Sequence, residues 1–146
     1  MIYVTGRNLK VDYYEKEDEL WVAESRIVDE QHDISLITEI DMSEMVIISA
    51  EIKFARCPLQ HCHFIEKKAE QLAGLKVDHD FVRNAMKIFM GAQGCPNIMT
   101  LINILIPGII YYYYPNKIKK GDMTHEQWNK MVRTELNNDC IAHSLL

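Results

Sequence analysis

Val46-Ile47-Ile48-Ser49-Ala50-Glu51-Ile52-Lys53-Phe54 runs into Cys57-Pro58-Leu59-Gln60-His61-Cys62-His63, and Phe64-Ile65-Glu66-Lys67-Lys68-Ala69 follows. The spacing of apolar residues changes across this stretch. Before it, β-branched residues with partial period-2 alternation read as strand, and after it the spacing is helical. Upstream, Leu20-Trp21-Val22-Ala23 and Ile34-Ser35-Leu36-Ile37-Thr38-Glu39-Ile40 are further strands, and an opening strand is expected near residues 2–14. The polar breaks at 15–19, 29–33 and 41–44 are short. A parallel crossover needs about a dozen residues or more, so breaks of this length predict antiparallel neighbours.

Downstream, Phe64, Ile65, Ala69, Leu72 and Ala73 share one helical face, and Gly74 supplies a stop. Asp78 or Asp80 is placed to cap a second helix whose apolar face is Phe81, Val82, Ala85, Ile88 and Phe89; Gly91 ends it. Cys95-Pro96 opens a third, since proline suits the first helical position. Pro107 is expected to kink or end that helix, leaving the Tyr111–Tyr114 run and Pro115 as a loop or short extension. Thr124-x-x-Gln127 fits a capping box ahead of Trp128, Met131, Val132 and Leu136. Strands followed by helices predict an α+β fold: one domain over residues 1–146, an antiparallel sheet with three to four helices on one face.

The chain has 146 residues, 48% of them hydrophobic, enough for a core. Lys and Arg total 16 against 21 Asp and Glu, a net charge of −5. That balance argues against a nucleic-acid partner. The N-terminal residues lack a signal peptide's apolar core, so the expected location is the cytoplasm, where thiols stay reduced. The apolar run 98–114 is interrupted by Asn103, Pro107 and Gly108 and is shorter than the ~20 residues of a membrane span. It is read as a buried helix, with no membrane association.

Cys57, His61, Cys62 and His63 fall within seven residues, and Cys95 sits at a helix start, where unpaired amides favour a thiolate. Thiolates with imidazole support suit zinc or an iron–sulfur cluster, although no Cys-x-x-Cys pair is present. Cys57 and His61 read more simply as buried packing residues. His32 lies in the break before the Ile34 strand, and Cys140 is near the C-terminus; either could be delivered to the same place. His79, His125 and His143 read as surface residues or caps. A Cys–His nucleophile pair is the catalytic alternative, with Cys62 or Cys95 activated by His61 or His63. Gly91-x-x-Gly94 lacks the Lys-Ser/Thr of a phosphate loop. The Tyr111–Tyr114 quartet would suit a pocket, a homodimer contact or a partner protein.

In order along the chain, Asp29-x-x-His32-Asp33, Pro58-x-x-x-Cys62, Leu72-x-Gly74, Gly91-x-x-Gly94-Cys95 and Asn138-x-Cys140 resemble a family of small bacterial proteins of unknown function. In that family the Gly-Cys is followed by a polar residue and then His; Pro96 and Asn97 stand there in this chain. A more distant resemblance is to the iron–sulfur scaffold fold of the NifU, IscU and SufE type. It aligns Cys62 and Cys95 with the second and third scaffold cysteines, and His32-Asp33 with the loop of the first.

The leading functional expectation is therefore a metal ion or iron–sulfur cluster held by His32, Cys62, Cys95 and Cys140. The alternatives are an apolar, tyrosine-lined binding module and a Cys-dependent enzyme.

Overall fold

The computed structural model describes residues 1–137 and 140–145, so Asn138 of the last motif lies outside the described residues. Four strands, β1 (Asn8–Glu17), β2 (Leu20–Val28), β3 (Asp33–Asp41) and β4 (Val46–Arg56), form one antiparallel sheet in the order β1-β2-β3-β4. A 3₁₀ helix (Gln60–Leu72) follows, then α1 (Phe81–Phe89), α2 (Pro96–Lys120), α3 (His125–Glu135) and α4 (Ile141–Ser144). The protein is α+β, as its element order predicts. The chain divides into two compact units, Met1–Gly108 and Ile109–Leu146, with the boundary inside α2.

Aspartates build two of the short connections. Asp29 Oδ1 accepts from the Gln31 and His32 amides, and Asp41 Oδ1 accepts from those of Ser43 and Glu44. Each carboxylate closes its own turn, which lets hairpins form without a glycine at these positions. β2 is longer than the apolar quartet 20–23 suggests. Ser25 and Ile27 continue its buried alternation with Trp21 and Ala23, and β3 answers with Ile34, Leu36, Thr38 and Ile40. The two buried hydroxyls are satisfied: Ser25 donates to the Leu36 carbonyl and Thr38 to that of Ala23.

The first unit's core joins this sheet face to Ile65, Ala69 and Leu72 of the 3₁₀ helix, Phe81, Ala85 and Phe89 of α1, and Ile98, Leu101, Ile102 and Leu105 of α2. Phe64, expected on the apolar helical face, is instead 74% exposed. Ile65, Ala69 and Leu72 already fill that stripe. Asp80 holds the position before α1 but leaves its amides uncapped; its carboxylate pairs with Arg83 at 2.6 Å.

The largest departure from expectation is α2, which continues for 25 residues through Pro107, the tyrosines and Pro115. Burial of Leu101, Ile102, Leu105 and Ile109 outweighs the local cost of Pro107. The Tyr13 hydroxyl donates to the Leu105 carbonyl, in the turn that the proline disturbs. By length and composition α2 could cross a membrane, contrary to the shorter run read from the sequence; 44% of its most apolar window is buried. In the second unit Tyr111 and Tyr112 are exposed and Tyr113 is buried, with the Lys117 ammonium 4.7 Å from its ring centre. Thr124 forms the full capping box with Gln127.

Candidate functional site

β4 delivers Cys57 to the sheet's exit, and the chain turns at once into the 3₁₀ helix. Two groups converge on the Leu59 carbonyl: the Cys57 thiol at 3.3 Å and the Cys62 amide at 3.0 Å. The turn thereby folds the Cys57 side chain and the Cys62 backbone onto one carbonyl. One residue later, His63 Nε2 lies 3.6 Å from Cys57 Sγ, and its Nδ1 lies 2.8 Å from Glu66 Oε1. The Phe54 ring meets the His63 ring edge-on at 5.6 Å, fixing its plane from the last strand. With Nδ1–H donated to the carboxylate, Nε2 presents its lone pair to the thiol.

Burial pushes the Cys57 thiol up from its usual range, and the neighbouring Cys62 adds to the effect. Cys57 therefore holds its proton more tightly than an ordinary thiol, and the His63 imidazole lies 3.6 Å away.

Cys62 opens the other way. It lines a cleft of about 380 Å³ with Leu59, Phe64 and Ile65 on its own side and the 92–95 segment, ending in Cys95, opposite. Gly94 makes that wall possible, because a Cβ there would overlap the Phe89 carbonyl. The Cys95 amide donates to the same carbonyl at 2.7 Å, setting the start of α2. Cys62 and Cys95 thus both line this cleft.

His32 lies elsewhere, in a cavity of about 360 Å³ lined by residues 5–7 and 29–32. Its Nδ1 sits 2.9 Å from Asp29 Oδ1, and Arg7 grips the other carboxylate oxygen at 2.7 Å. Desolvation pushes the Asp29 carboxyl up, but the His32 side chain, the Gln31 and His32 amides and Arg7 together outweigh it and hold it at about 2. Arg7 also donates to Asn97, the position where the resembling family carries His. Arg7 thereby ties this cavity to the first turn of α2.

Cys140 precedes α4 in the second unit. All four thiols are free and half-buried. Among the described residues, no group of three or more His, Cys, Asp or Glu side chains is placed to hold a metal ion. Of the four residues expected as ligands, the structure gathers Cys62 and Cys95 at one cleft and commits His32 to Asp29.

Sequence reasoning weighed His63 as a base but paired it with Cys62 or Cys95; the thiol it reaches is Cys57. His63-x-x-Glu66 is a spacing that brings two helical side chains together, and the sequence carries that signal. His61 meets the Phe64 ring edge-on at 5.4 Å. His79 and His125 are exposed; His143 lies 3.2 Å from the Leu136 carbonyl.

A four-stranded antiparallel meander whose last strand feeds a cysteine- and histidine-bearing turn defines a small α+β protein with a thiol-lined cleft. Residues 5–108 match the family described as Protein of unknown function (DUF2889), and the chain belongs to that family. No curated protein and no solved structure matches the chain, and the resemblance to NifU-type scaffolds has no support beyond the α+β class.

Proposed function

We propose that the protein carries out cysteine-dependent chemistry at the junction of β4 and the 3₁₀ helix. The observation that carries this reading is the chain of contacts Cys57–His63–Glu66. A thiol, an imidazole and a carboxylate in series form the arrangement of an activated nucleophile, with the carboxylate orienting the base and the base serving the thiol. Cys57 yields its proton to His63 Nε2, and Glu66 stabilises the imidazolium that forms. Cys62, beside it, faces the cleft where a reactant would sit.

The test is iodoacetamide alkylation at pH 7.5, mapped to each cysteine by mass spectrometry. His63→Ala and Glu66→Gln should each slow Cys57 alkylation, His63→Ala by about tenfold or more. Unchanged Cys57 rates in both variants, with circular dichroism showing a native fold, would refute the reading. Zinc and iron are assayed on the same anaerobically expressed protein. Stoichiometric metal that disappears in Cys62→Ser and Cys95→Ser would move these thiols from chemistry to ligation and overturn the proposal.

A further inference from the structure

We infer that Cys57 and Cys62 work as a redox pair on a low-molecular-weight disulfide, with Cys62 attacking it in the cleft and Cys57 resolving the mixed disulfide. This deepens the proposed function and rests on it.

The roles follow from the different surroundings of the two thiols. Cys62 lines the cleft and Cys57 does not. The cleft is of a size that suits a small molecule. Cys57 is the thiol with the base, and a resolving thiol needs one, since it must lose its proton inside the complex while the substrate occupies the open side. The shared Leu59 carbonyl keeps the two cysteines within one tight turn. Cys95, across the cleft, has no imidazole contact among the described residues.

The steps balance. Cys62 gives up its proton to solvent and the thiolate attacks one sulfur of the substrate R–S–S–R′; a Cys62–S–S–R bond forms, the S–S bond of the substrate breaks, and R′–S⁻ leaves and takes a proton back from solvent. His63 removes the Cys57 proton, and the Cys57 thiolate attacks Cys62 Sγ. The Cys57–Cys62 bond forms, R–S⁻ leaves, and it takes the proton from His63. The substrate disulfide is reduced to two thiols while two protein thiols are oxidised to one disulfide.

The probe is oxidised glutathione added to the reduced full-length protein, with products read by intact mass and peptide mapping. The wild type should lose two hydrogens and carry a Cys57–Cys62 bond, with Cys95 still alkylatable. Cys57→Ser, and Cys57→Ala as a second version, should stop at a stable glutathione adduct on Cys62. His63→Ala should form that adduct at the wild-type rate but resolve it about tenfold more slowly. A stable adduct on wild-type Cys62, or a Cys62–Cys95 bond, would overturn the pairing. If His63→Ala still slows Cys57 alkylation in that case, the proposed function survives and only the redox assignment fails.

Discussion

Gly108 and Tyr13 offer a sharp test of how α2 passes its proline. A Cβ on Gly108 would overlap the hydroxyl and ring edge of Tyr13, whose hydroxyl bonds the Leu105 carbonyl. The ring cannot swing away freely, because it also meets Trp21 at 6.3 Å. Gly108→Ala brings two opposed effects. Alanine favours the helix by about 1 kcal/mol over glycine. Overpacking against Tyr13 costs about 1–3 kcal/mol, and losing the hydroxyl's bond adds about 1 kcal/mol. The net expectation is a loss of about 1–3 kcal/mol by the same principles. In a Tyr13→Ala background the clash is gone, so the same substitution should stabilise by up to about 1 kcal/mol. Urea unfolding followed by circular dichroism gives all four corners of the cycle. A Gly108→Ala effect of the same sign and size in both backgrounds would refute the packing described here.

Two further expectations concern charge and capping. The folded-state pKa of Asp29, about 2, lies below the ordinary carboxylate value of about 3.9. The Asp29 interactions therefore contribute their full stability above about pH 4, and this contribution is lost as the pH falls from there through 2. The urea midpoint of Asp29→Asn should lie below the wild type at pH 5 and converge on it toward pH 2; a constant gap would contradict the assignment. In the second unit, Thr124→Ala should weaken α3 by about 1 kcal/mol, seen as faster amide exchange over His125–Glu135, while Thr124→Ser should retain most of the protection.

Those parts of the fold whose causes are local could be read from the sequence. The polar breaks are short because Asp29 and Asp41 close turns with their own side chains, and the Thr124–Gln127 box is complete within four residues. Pro107 misled because the burial that outweighs its cost is tertiary, and contacts on α2 come from far along the chain: Tyr13, in the first strand, bonds Leu105, 92 residues away. Phe64 misled because its helical spacing is compatible with a stripe that Ile65, Ala69 and Leu72 already fill.

The site divides along the same line. Cys62 and Cys95, read as residues bracketing two helices, both line one cleft. His32 does not, since Asp29, three residues earlier, captures its ring. The identity of the thiol served by His63 depends on how the chain folds back over the Leu59 carbonyl, a conformation that residue spacing does not encode.

The central claim is that Glu66 fixes the His63 ring so that Nε2 faces Cys57 as an acceptor. Nitrogen-15 NMR of the imidazole reads this directly. The account predicts a proton on Nδ1 and a bare Nε2 in the neutral ring of the reduced protein, and a shift toward the other tautomer in Glu66→Gln. A neutral His63 protonated on Nε2 in the wild type would contradict it.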